Sequence, residues 1–93
     1  MDKQEAKRVL KDQLVPYRSL GYERLRRLLN EQDVFEVTGA SGTVYQVEIQ
    51  AVWEGRKGGD LRVRASIDDK GWRAFAPVIS DFIVRPDGTF VDE

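Results

Sequence analysis

Apolar residues change their period once along this chain. From Asp2 to about Asn30 they recur at helical spacing, and from Val34 onward they alternate in twos between glycine-containing turns. Helical period followed by strand period predicts an α+β domain. Two N-terminal helices within residues 1–31 should cover one face of an antiparallel β-meander of four to five strands over residues 33–91, a two-layer sandwich.

The first helix is predicted from its ends inward. Asp2 is a good N-cap and Glu5, three places on, completes a capping-box pattern, while Lys7, Arg8 and Lys11 suit the later turns of the helix dipole. Ala6, Val9, Leu10, Gln13, Leu14 and Tyr17 form one stripe. Pro16 is expected to stop the helix, because it removes a hydrogen bond and crowds the carbonyl four residues back. A shorter second helix should follow, capped by Ser19, burying Tyr22, Leu25, Leu28 and Leu29, and ending near Asn30.

Four turn signals divide the remainder: Gly39-Ala40-Ser41-Gly42, Gly55-Arg56-Lys57-Gly58-Gly59, Asp69-Lys70-Gly71 and Pro86-Asp87-Gly88. The clearest strand is Thr43 to Glu54, with Tyr45, Val47, Ile49, Ala51 and Trp53 on one face and Gln46, Glu48, Gln50 and Glu54 on the other. Leu61, Val63, Ala65 and Ile67 continue the apolar face, with Arg62 and Arg64 opposite. One face is therefore core and the other wet. Read as a three-residue hairpin loop with glycine last, Asp69-Lys70-Gly71 sets Asp68 opposite Trp72, turning Trp72 to the Arg62/Arg64 side and Phe75 to the core. A two-residue loop reverses those two. By the same chemistry Pro86-Asp87-Gly88 sets Val84 opposite Phe90, and a bend is expected from Pro77 to Asp81.

Composition narrows the chemistry. The 93 residues suffice for one core, so residues 1–93 read as a single domain. There is no histidine and no cysteine, which removes the side chains that most often act near neutral pH or hold a transition metal. No cofactor and no transition metal are expected, and an enzyme would have to run on carboxylates, Lys, Tyr, Ser or Thr. Fifteen basic against sixteen acidic residues give a net charge of −1, too little field to draw nucleic acid or an anionic membrane. The polar N-terminus, with no apolar run behind it, and the absence of cysteine lead to an expectation of cytoplasmic location.

Each candidate site has an ordinary structural alternative. Asp81, lying between apolar residues, is the carboxylate to inspect for acid/base work, against the alternative of a turn-forming side chain. Arg56 and Lys57, among flexible glycines, are candidate anion contacts, though no helix follows to add its dipole. Arg18, Arg24, Arg26 and Arg27 make the second helix region basic, with Glu23 and Glu31 close by. Trp72, Arg62 and Arg64 on the wet side of the sheet form the strongest candidate, a pairing enriched in protein-binding hot spots. Its alternative is cross-strand ion pairing, with Glu48 near Arg64.

Tyr17-x-x-Leu20-x-Tyr22-x-x-Leu25, Gly42-x-x-Tyr45-x-Val47, Leu61-Arg62-Val63, Arg73-Ala74-Phe75-x-Pro77 and Pro86-Asp87-Gly88-x-Phe90 together resemble small uncharacterised bacterial α+β proteins. The resemblance spans residues 17–90 and implies a fold and a bacterial source, with no catalytic residue to carry over. The expected role is a non-enzymatic interaction module that binds a protein partner, or its own copy, through the exposed sheet face. Immunity proteins and other small bacterial inhibitors fit its size and mild acidity. The alternatives are phosphate or nucleic-acid contact through Arg56, Lys57 and the arginine-rich helix, and, third, a carboxylate-based enzyme.

Overall fold

The computed structural model describes residues 2–68 and 78–91. Helix α1, Lys3–Arg18, starts at Asp2, whose side chain accepts from the backbone N–H groups of Gln4 at 3.0 Å and Glu5 at 3.1 Å. Ala6, Leu10 and Leu14 form its buried stripe, with Val9 and Tyr17 packed at the margin. The capping box is only half made, because the Glu5 carboxylate turns to Ser41 and Tyr45.

Pro16 does not stop α1, which runs on to Arg18. Only two helical residues follow the proline, so the cost is one missing donor in a final turn held by burial of Leu14 and by Tyr17, whose hydroxyl donates to Asp33. Ser19 then ends α1 and does not begin the next helix. Its N–H and its hydroxyl both donate to the Pro16 carbonyl, at 3.2 and 3.0 Å. Gly21, at φ 86°, precedes helix α2, Tyr22–Leu25, which tightens into a 3-10 turn over Arg26–Leu29. Tyr22, Leu25 and Leu28 are buried and Leu29 partly so.

The sheet is a four-stranded antiparallel meander in the order β1 (Asp33–Thr38), β2 (Val44–Trp53), β3 (Leu61–Asp68), β4 (Val78–Val84). Its register stacks the predicted apolar positions into rows: Phe35, Val47, Ile67 and Val78; then Ala51, Val63 and Phe82; then Trp53, Leu61 and Val84. These rows meet the stripes of α1 and α2 in one core. Alternation on two neighbouring strands leaves a single way to bury both apolar sets, which is why the register follows the sequence pattern.

The last hairpin forms as expected. Gly88 takes φ 90°, the Arg85 N–H donates to Thr89 at 2.7 Å, and Val84 pairs with Phe90, a bridge in place of a full fifth strand. The bend expected up to Asp81 is absent from residues 78–81, which lie inside β4, where Asp81 faces Arg64 and its carboxylate pairs with Arg62. Ile67 pairs with Val78, so β3 takes its neighbour from Val78–Val84. The Asp69-Lys70-Gly71 loop, Trp72 and Phe75 lie outside the described residues. No helix among the described residues is long and apolar enough to cross a membrane.

Candidate interaction surface

The helices cover one face of the sheet, and the opposite face carries every second residue of each strand. Its rows run Val34, Glu48, Ser66, Ile79; then Gln50, Arg64, Asp81; then Val52, Arg62, Ile83. Val34, Val44, Val52 and Ile79 are 40–54% exposed there, and Val15 on α1 is the other large apolar side chain so exposed among the described residues. β-Branched residues at these positions satisfy strand geometry without requiring burial.

Arg62 organises this face. Its Nε and Nη2 donate to the two carboxylate oxygens of Glu54 at 2.8 and 2.7 Å, and its Nη1 donates to Asp81 at 2.7 Å. The fork matches a carboxylate on one side and leaves a third N–H for the next strand. Glu54 is held below the usual carboxylate range by this guanidinium, and Arg62 is pushed further up by its two carboxylates. Cross-strand ion pairing therefore runs through Arg62. Arg64, expected near Glu48, lies opposite Gln50 on one side and Asp81 on the other, with Glu48 opposite Ser66. Of the expected trio, Arg62 and Arg64 share this face and Trp72 lies outside the described residues.

The Gly55–Gly59 loop is less suited to an anion. Arg56 lines a cavity of about 370 Å³ there, but Glu54 and Asp60 line it too. Two carboxylates in the same concavity oppose the charge an anion would bring. Lys57 is exposed on the same turn. The Tyr22 hydroxyl donates to the Gly59 carbonyl at 2.6 Å and ties the loop to α2.

The arginines near α2 are mostly engaged within the molecule. Arg18 lies over the Phe82 ring at 4.8 Å and Phe90 at 5.5 Å, and Arg26 over Trp53 at 5.4 Å with Glu23 at 3.6 Å. Arg27 donates from both terminal nitrogens to the Asp33 carboxylate, at 3.0 and 2.9 Å. Arg24 is exposed.

Two polar clusters were not foreseen from the chain. In one, Asp33 accepts from Arg27 and, at 2.5 Å, from the Tyr17 hydroxyl. Asp33 is lowered chiefly by Arg27, while burial, then the bond to Asp33, push Tyr17 up to about 12. In the other, Glu5 accepts from Tyr45, from the Ser41 hydroxyl at 2.7 Å and from the Ser41 N–H at 3.0 Å. Glu5 is lowered, first by Tyr45 and then by Ser41, and Tyr45 is pushed up to about 12, first by its bond to Glu5 and then by burial. A tyrosine on an otherwise wholly apolar strand face was the one available signal, since a buried hydroxyl needs a partner.

In both clusters the carboxylates are held ionised and the phenols protonated. That is opposite to the tuning toward neutrality that general acid/base work requires. Among the described residues, no group of three carboxylates is placed to hold a metal ion. Comparison with protein-family models, with curated proteins and with solved structures finds no match for this chain.

Proposed function

We propose that this domain is a non-enzymatic interaction module that binds a protein partner through the uncovered face of its sheet. The observation that carries the reading is the concentration of exposed apolar side chains there: Val34, Val44, Val52 and Ile79 all lie on the one face no described element covers. Arg62, fixed by Glu54 and Asp81, gives this face an ordered polar centre. The Arg62 charge is already paired by Glu54 and Asp81, so a partner can cover the apolar side chains around it without leaving that charge unpaired.

Charge favours a different protein over a second copy. Among the described residues Glu48, Glu54 and Asp81 stand on this face against Arg62 and Arg64. Two copies face to face would oppose the same acidic excess, whereas a partner bearing apolar residues among basic ones complements it. The anion reading is weaker, because Glu54 and Asp60 share the cavity of Arg56.

The test places a photo-cross-linking residue at Val52 in one protein and at Lys57 in another, each used in host extract. Cross-links to one defined protein from position 52 and not from 57, abolished by Ile79→Glu, are expected. Equal capture from both positions, or capture that survives Ile79→Glu, overturns the reading, as does dimerisation of the purified protein at micromolar concentration through position 52.

A further inference from the structure

The edge of β4 and the neighbouring flank of α1 form a groove that borders the sheet face at Ile79. Among the described residues β4 has β3 on one side only, apart from the return of the chain at its far end. There the Val91 N–H donates to the Ile83 carbonyl at 2.9 Å, which places the peptide groups of Ile83 on the outer edge. In an antiparallel ladder these groups alternate, so Ile79 and Asp81 also direct their N–H and C=O outward. No described residue pairs with them.

Beside this edge lie two adjoining depressions. One, of about 210 Å³, is lined by Lys7, Lys11, Val78, Ile79 and Ser80. The other, of about 300 Å³, shares Lys11 and Ser80 and reaches Val15 and Arg18, with Asp12 on its rim. Val15 and Ile79, 62% and 54% exposed, are the two most exposed large apolar residues among those described, one on each wall. Lys7 and Lys11 stand one helical turn apart with no ion pair among the described residues.

We propose that this groove takes an extended acidic segment of another protein as an added strand on β4. The backbone of such a segment would bond to the outward groups of Ile79 and Asp81. Side chains alternate across a strand, so every second one would point toward α1, where Lys7 and Lys11 call for carboxylates. The others would lie beside Ile79, which calls for an apolar residue. A second copy added edge to edge across a twofold axis would set Lys7 and Lys11 against their own equivalents, so charge selects an acidic partner over self-pairing. The inference shares Ile79 with the sheet-face reading but otherwise uses the strand edge and the helix flank, and the Lys7 and Lys11 reversal leaves the sheet face unaltered.

The test uses fluorescence anisotropy with a labelled peptide of alternating Glu and Val, eight residues long. Three further probes accompany it: the Lys/Val counterpart, the Glu/Val peptide N-methylated on alternate backbone nitrogens, and a single-stranded oligonucleotide of similar charge. Saturable binding of the Glu/Val peptide is expected, weakened at least tenfold by Lys7→Glu with Lys11→Glu and at least tenfold by N-methylation. The N-methylated peptide leaves the protein unaltered, so a misfolded variant cannot mimic its effect. Absence of binding, equal binding of the Lys/Val or N-methylated peptide, indifference to the charge reversal, or tighter binding of the oligonucleotide each overturns the proposal. Dimerisation that buries the same edge overturns it as well.

Discussion

Tyr45, on the second strand, donates its hydroxyl hydrogen to Glu5, in the first turn of α1, at 2.6 Å. The phenol ring is fully buried while Glu5 stays at the surface, so the bond joins the core to the rim. Ser41 closes the arrangement by donating from its N–H and hydroxyl to the same carboxylate. The β1–β2 turn is thereby fastened to the start of the helix.

This fastening requires a residue without Cβ at position 39. A Cβ there would lie 2.8 Å from a Glu5 carboxylate oxygen and 3.0 Å from the Tyr45 ring. Gly39→Ala should destabilise the domain by about 1–3 kcal/mol, the usual range for overpacking. The loss should shrink when Glu5 is also replaced by Ala. Chemical denaturation of the two single variants and the double measures both effects, and Tyr45→Phe should lower the midpoint without changing the slope.

Ile49 is fully buried at the centre of β2, opposite Ala65. Ile49→Ala should cost about 2–5 kcal/mol, because lost transfer energy adds to the cavity left behind. Val52→Ala, on the uncovered face of the same strand, should cost less than about 1 kcal/mol. A pair of denaturation curves decides whether the two faces differ as the fold requires.

Stability should fall at both ends of the pH scale for separate reasons. Asp33 and Glu5 are held below their ordinary values of 3.8 and 4.5, so the stability they contribute is present above those values and is lost as pH falls through their lower folded pKa values. Tyr17 and Tyr45 are raised from 10.0 to about 12, so their contribution is complete below pH 10 and is lost as pH rises toward 12. Urea midpoints should hold between pH 6 and 9, fall below about pH 4 and fall again above about pH 10. In Tyr17→Phe with Tyr45→Phe the alkaline fall should diminish while the Asp33 pair with Arg27 keeps part of the acid fall.

Pro16 sits inside α1 with two helical residues after it. Pro16→Ala restores a donor and improves helix propensity, partly offset by the freedom an alanine gives the unfolded chain. A net gain of about 1 kcal/mol is expected, which for a chain of this size raises the thermal midpoint by about 4–8 °C. An unchanged or lowered midpoint would mean that the proline ring packs too well to replace.

Much of the fold is legible in the chain because its determinants are local. Val47, Ile49, Ala51, Leu61, Val63, Ala65 and Ile67 alternate strictly, and a period of two has only one half-buried solution once a neighbouring strand has the same period. Pro86-Asp87-Gly88 likewise carries its turn in its own residues, which is why Val84 opposite Phe90 could be anticipated. Pro16 and Ser19 depart from their local preferences, as a helix stop and as an N-cap, for a tertiary reason. Burial of Leu14 and the reach of Tyr17 to Asp33 extend the helix past the proline, and that in turn hands Ser19 to its C-terminus.

The contacts made across the surfaces were decided by tertiary structure. Arg62 and Arg64 could be placed on the wet face by parity, but which of them takes both carboxylates depends on the register with β4, and therefore on Asp81 lying in a strand. Glu5 meets Tyr45 across forty residues, and Lys7 and Lys11 come to border Ile79 across about seventy. Local patterning determines which side of each element is apolar, because that depends only on spacing along the chain. What the polar sides meet depends on how the elements are laid against one another, and no spacing within a single element encodes that.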